Sequence, residues 1–280
     1  MIWRAVTTHL SRHGVYTTTP LPVSIQLSFL RRTTLGAAEL TVQDVKRGGR
    51  TSTVHVTLEQ TSDKKNGQED GKEAKEVKAM GYITVSPPSA EVGLTAPTDW
   101  TLHPPRTPVN LAALAVHGHD GPWRRFQDRY SAFRVAGQNI EVFAPEQEEQ
   151  EQGRLIRHKE QWVRFRPGGQ PARWTNEALL FLVDMFPTAL DGLARVATAT
   201  TAAAAAAPFW FPTVALTVDV KKQLPAQGVE WLYSQIHNKT MRGGRSDIQV
   251  VVLDAQGELV AVASQVSLVM SASRNIGQRL

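Results

Sequence analysis

Ala178-Leu-Leu-Phe-Leu-Val-Asp-Met-Phe186 carries a single aspartate, Asp184, in an otherwise apolar run. Thr175 and Asn176 before it are capping residues, and Glu177 suits a first helical turn, so the pattern predicts a helix over 175–190. A helix that is apolar on every side is buried on every side. The chain must therefore surround this helix, and its neighbours read as strands. Alternating apolar residues mark 23–29, 40–45, 54–58 and 77–85 in the first half. In the second half they mark 156–165, 214–220, 231–237, 248–253 and 259–270. Asp254-Ala-Gln-Gly257 between the last two reads as a hairpin turn. A shorter amphipathic helix is expected over 3–13. Each half thus runs from a helix into four or more antiparallel strands. That order predicts an α+β fold in which a curved sheet wraps a central helix.

Two similar halves are suggested by a repeat. Arg47-Gly48-Gly49-Arg50 recurs as Arg242-Gly243-Gly244-Arg245, each copy preceded by strands starting near a proline (Pro22, Pro212). The length of 280 residues also fits two domains, at about 150 residues each. The expected division is 1–88, a crossover linker over 89–130 rich in Pro, His, Gly and Thr, and 131–280. Polar runs at 62–76 and 146–152 and an Ala/Thr stretch at 197–207 read as solvated connectors.

Composition narrows the chemistry. The absence of cysteine removes disulfides, thiolate zinc sites, iron–sulfur clusters and a cysteine nucleophile. The net charge of +5 suits an anionic ligand, but no basic stripe interleaved with aromatics points to nucleic acid. The uncharged window 196–218 is broken by Pro208 and Pro212, which argues for a connector leading into a strand and against a membrane span. With no signal peptide legible, a cytoplasmic protein is expected. Gln278-Arg279-Leu280 faintly echoes a peroxisomal Ser-Lys-Leu tail and keeps that compartment as an alternative. The chain has no G-x-S-x-G elbow, H-E-x-x-H, P-loop or G-x-G-x-x-G. His117-Gly118-His119-Asp120 has metal-ligand residue types, but its setting favours a solvated turn.

Several segments, in order, resemble the acyl-CoA thioesterase II-type family of double hotdog proteins. They are Ile140-Glu141-Val142-Phe143, Glu160-Gln161-Trp162-Val163-Arg164 and the helix with Asp184 and Pro187-Thr188-Ala189-Leu190. Pro225 with Glu230-Trp231-Leu232 follows. The most specific match is Asp254-Ala-Gln-Gly-Glu-Leu-Val-Ala-Val-Ala-Ser-Gln265. The resemblance covers about 133–270, and 22–85 fits a first hotdog more loosely. It implies a double hotdog whose first half is N-terminally incomplete, since only Met1 and Ile2 precede the first helix. That half would present a sheet edge in need of cover, and any active site would lie in the second.

What the resemblance implies chemically is acyl thioester hydrolysis, with no cofactor beyond the CoA thioester substrate and no metal. A homo-oligomer is also implied. The family uses an aspartate, a threonine or serine, and a glutamine. Asp184 and Gln265 match the first and last, whereas Ala215 stands at the hydroxyl position. Thr213 and Thr217, two residues to either side, face the same way by strand alternation. Thr213 is favoured, with Thr217 as substitute. A carboxylate in apolar surroundings must be paired, protonated or hydrogen-bonded, and one so held can deprotonate a water while the Gln265 amide positions it. Asp184 also reads as a helix-interior aspartate satisfied by local partners. Arg242 and Arg245 are candidates for CoA phosphates. The rival to an enzyme is a non-catalytic acyl-thioester binding or scaffold protein. Hydratase chemistry lacks the Asp-x-Asn-x-x-His run that it needs.

Overall fold

The structure, a computed structural model, describes residues 1–14, 16–61, 74–128, 131–132, 134–146, 158–200 (backbone alone from 194) and 209–271. Its first elements are α1 (Ile2–Arg12), β1 (Leu21–Phe29), β2 (Glu39–Lys46), β3 (Ser52–Thr61) and β4 (Lys75–Ser86). Next come α2 (Leu111–His117), β5 (His119–Asp120), β6 (Trp123–Arg125), β7 (Ile140–Pro145) and β8 (His158–Phe165). Then α3 (Asn176–Leu182), α4 (Pro187–Thr200), β9 (Phe209–Trp210) and β10 (Thr213–Val220) follow. The chain closes with β11 (Trp231–His237), β12 (Met241–Arg242), β13 (Arg245–Leu253), β14 (Leu259–Leu268) and β15 (Met270–Ser271). Two compact units result: residues 1–95 with β10, and residues 96–212 with 221–280.

In the first unit the strand order is β2-β3-β4-β1-β10, antiparallel throughout. Period-two alternation gives the sheet two unlike faces. One buries Ile25, Val54, Val56, Ile83, Leu216 and Val218, and α1 brings Trp3, Val6 and Leu10 to the core. His9 Nε2 meets Asp44 Oδ1 at 2.9 Å, and Arg47 Nε donates to Asp44 Oδ2 at 2.6 Å. That arginine bond, more than the histidine, holds the Asp44 carboxyl below its usual range. The opposite face carries Gln26, Tyr82 and His55 in one cross-strand row that continues to Thr217. The edge of β1 away from β4 is covered by β10, a strand from late in the sequence.

The second unit is built on a sheet of order β14-β13-β11-β8-β7-β6-β5, with β12 beside β13 and the short pair β9–β15 apart. Register places Gln161, Ser234, Val252 and Ala261 on one face, and Ile248 with Gln265 on the same side. This face receives α3 and α4, whose Leu179, Leu182, Ala189 and Leu193 are buried, as is Phe186 between them. The other face packs Phe143, Trp162, Trp231, Tyr233 and Leu253 with Leu114 and Trp123.

Leu114 and Trp123 belong to the expected linker, so 96–128 is no free crossover. It is the outer cover of the second unit. Polar side chains hold it there, which explains why its sequence shows so little periodicity. Glu160 accepts from Thr107 N (3.0 Å), Thr107 Oγ1 (2.6 Å) and the Tyr233 hydroxyl (2.8 Å). Gln235 Nε2 donates to Pro104 O at 3.0 Å, and Trp123 Nε1 to Pro108 O at 3.0 Å. Asn110 caps α2 by accepting from Ala112 N and Ala113 N. The His117–Asp120 segment is the C-cap of α2 running into β5, and Asp120 accepts from Asn110 N. Most of the polar runs 62–76 and 146–152, residues 201–207 of the Ala/Thr stretch, and the C-terminal tripeptide lie outside the described residues. Residues 197–200 continue α4, so the helix extends into part of the expected connector.

Burial, reinforced by the Glu160 charge, pushes the Tyr233 phenol well above its ordinary range. A raised phenol favours the folded state below the unfolded tyrosine value of about 10, and that contribution fades as pH rises beyond it. Tyr233→Phe should cost about 1–3 kcal/mol at neutral pH by leaving a buried carboxylate one donor short. Urea melts should also show wild-type stability falling more steeply than the variant's above about pH 10.

Candidate active site

The helix expected over 175–190 is two helices. α3 begins as the sequence suggests, with Thr175 Oγ1 accepting from Ala178 N at 3.2 Å. It tightens at its end, where Asp184 N donates to Phe181 O (3.3 Å) and Met185 N to Leu182 O (2.8 Å). Then the chain breaks, and α4 opens at Pro187. The cause is local: proline has no N–H, suits the first helical position and drives the residue before it out of helical geometry. Asp184 therefore stands half-buried in the turn between two helices, not inside an apolar helix as expected.

The break removes donors from two carbonyls. In an unbroken helix Val183 O would accept from residue 187, and Met185 O from residue 189. Residue 187 is proline, and Ala189 N turns instead to Phe186 O at 3.0 Å. Two buried glutamines take their places. Gln265 Nε2 donates to Val183 O at 2.9 Å, and Gln161 Nε2 donates to Met185 O at 2.7 Å. Gln161 Oε1 also accepts from Thr188 Oγ1 at 3.2 Å. The carbonyls on both sides of Asp184 are held by amides from β14 and β8. Those strands are separated by β13 and β11, roughly 14 Å along a flat sheet, so the two side chains converge on the turn from well-separated strands.

Asp184 and Gln265 are thus brought to one turn. The Gln265 amide nitrogen bonds to backbone there, a use the sequence reading did not foresee. Thr213, Ala215 and Thr217 are half-buried on β10 and share a face, with Thr217 paired to Gln26 and Ala215 to Ser28. Sequence reasoning missed Gln161 and Thr188. A signal existed: Glu160 and Gln161 are adjacent polar residues next to the apolar pair Trp162-Val163, and in a strand buried on both faces each calls for a partner on its own side.

The two Arg-Gly-Gly-Arg copies fold differently. Gly243 (φ 57°) and Gly244 (φ 71°) form a two-residue turn in left-handed geometry that glycine supplies without strain, setting Arg242 directly opposite Arg245. Both arginines are exposed, and neither has an ion-pair partner among the described residues. Like charges facing each other across strands are unfavourable, so this tip suits an anion. The first copy is used internally. Arg47 binds Asp44, while Arg50 donates to Ala90 O at 3.4 Å and to Val92 O. Among the described residues no cluster of three or more His, Asp or Glu is placed to hold a metal ion.

A family model described as acyl-CoA thioesterase N-terminal domain matches residues 1–85, and one described as acyl-CoA thioesterase C-terminal domain matches 108–269. A thioesterase-like protein, TwmA, of Talaromyces wortmannii is 26% identical over 299 residues, covering 98% of this chain and 83% of that protein. Among solved structures, a hot dog fold protein of unknown function from Alicyclobacillus acidocaldarius is similar. Its TM-score is 0.62 at 14% identity, with 95% of this chain and 86% of that one covered. TesB2, an acyl-CoA thioesterase II from Mycobacterium marinum, gives 0.56 at 17% identity, covering 96% and 88%. The fold is the double hotdog.

Proposed function

Because the chain belongs to the acyl-CoA thioesterase family, whose two domains it matches in order, we propose that it hydrolyses acyl-CoA or a related acyl thioester. The observation that carries this reading is the presentation of Asp184 on a turn whose two neighbouring carbonyls are pinned by buried amides. A carboxylate so oriented can take a proton from water as the water oxygen bonds to the thioester carbonyl carbon. The tetrahedral adduct then collapses, breaking the carbon–sulfur bond. The acid leaves with the water oxygen, and the proton passes to the departing thiolate. Gln265 supports Asp184 through the turn, and Thr213 is assigned the hydroxyl that assists the water, with Thr217 second. Arg242 and Arg245 are assigned the phosphates of the thiol carrier.

One observation favours a second reading, an acyl-thioester binding protein without turnover: Ala215 stands where the family carries a hydroxyl. A panel of acyl-CoAs assayed for thiol release separates the two, since binding without release supports the second. The same panel places the threonines: Thr213→Ala should lose more activity than Thr217→Ala, and silence from both removes the assigned hydroxyl.

Asp184→Asn should lower kcat by about 100-fold or more, the scale of losing a general base, with circular dichroism unchanged. An unaltered rate takes Asp184 out of the mechanism. Reversing both arginines, Arg242→Glu with Arg245→Glu, should raise KM for acyl-CoA about tenfold, equivalent to about 1.4 kcal/mol. The same acyl group on pantetheine, which has no phosphate, should show no such rise. Equal shifts for both substrates would place the phosphates elsewhere.

A further inference from the structure

We propose that Gln161 is a positioning residue that sets the direction of the Asp184 carboxylate, an inference that rests on the hydrolase reading. Gln161 is fully buried on the helix-facing side of β8, two residues from Val163. A primary amide in such a place is costly unless bonded, and both of its ends are bonded to the segment that follows Asp184. Its nitrogen replaces the helical donor that Met185 O has lost, and its oxygen fixes Thr188, in the first turn of α4. Gln265 does the same for Val183 O on the other side. With Gln161 gone, Met185 O and Thr188 Oγ1 would both lose their bonds to β8, and the turn that carries Asp184 could shift. Reaction geometry is steep in distance: a displacement near 1 Å is enough for losses of about 100-fold.

Ser234 supplies an internal control. It stands on β11 directly opposite Gln161, is equally buried, and its hydroxyl has no partner among the described residues. A mere disturbance of packing at this spot would appear in Ser234→Ala as well. Gln161→Met keeps the length of the side chain and removes both polar ends, and Thr188→Val removes only the hydroxyl.

The test compares these three variants with wild type, and Gln161→Met again in the Asp184→Asn background. Gln161→Met should lower kcat about 10- to 100-fold with KM held within about twofold. Thr188→Val should fall in between, and Ser234→Ala should match wild type. In the Asp184→Asn background Gln161→Met should add almost no further loss, because groups that act as a unit are non-additive. Equal losses in both backgrounds, an unchanged kcat, or a matching fall in Ser234→Ala would overturn the proposal.

Amide hydrogen exchange at Asp184 and Met185 reads the turn without turnover. It should quicken about tenfold in Gln161→Met, as expected when a local hold worth about 1.4 kcal/mol is lost, and stay unchanged in Ser234→Ala. If wild type releases no thiol yet exchange quickens, the hydrolase reading falls while the clamp stands. Unchanged exchange in Gln161→Met removes the clamp whatever the activity.

Discussion

Pro187 has no N–H to give, and the carbonyl of Val183 one turn earlier is left needing a donor. Much of the second unit's helix-facing side answers that need. A carbonyl left unsatisfied in a buried setting costs about 1–3 kcal/mol, so a chain that breaks its central helix must bring donors from elsewhere. Here they come as Gln161 and Gln265, from strands that two others separate in the sheet. The consequence is chemical as well as structural. In an unbroken helix the carbonyls flanking Asp184 would be held by the helix itself, whereas here they are held by side chains from two strands, each of which can be altered separately.

The two faces of that sheet divide the labour. The helix-facing side keeps its polar groups few and places them at the turn. On the opposite side, a carboxylate and an amide on adjacent strands fasten residues 104–107, and the Tyr233 phenol donates to that carboxylate. Aromatic packing of Trp123, Trp162 and Trp231 does the rest. A segment with little pattern of its own becomes ordered because the sheet supplies its partners. The buried phenol next to a carboxylate also ties this attachment to pH on the alkaline side.

The repeated Arg-Gly-Gly-Arg shows how little four residues fix. One copy closes a two-residue turn with both glycines left-handed and both arginines outward. The other sits in a wider loop, where the Ser52 hydroxyl bonds to Gly48 O and receives the Tyr16 hydroxyl. Its arginines are spent on Asp44 and on backbone carbonyls. Only the second copy is free to meet an anion.

Local pattern was enough for the long strands, for α1, for the closing hairpin, and for Asp184 as the odd polar residue in an apolar run, but not for the short strands β5, β6, β9, β12 and β15. These follow from side-chain periodicity and turn chemistry, which act over a few residues. Even the helix break was legible, since a proline bars helical geometry at the residue before it, although the unbroken apolar run outweighed it in the reading. What the chain's order alone could not disclose was the donors for the broken turn, the attachment of 96–128, and the membership of β10 in the first unit. Each of these depends on residues far apart in sequence becoming neighbours. A hydrogen bond between 183 and 265 is settled only when the strands and the broken helix have packed together.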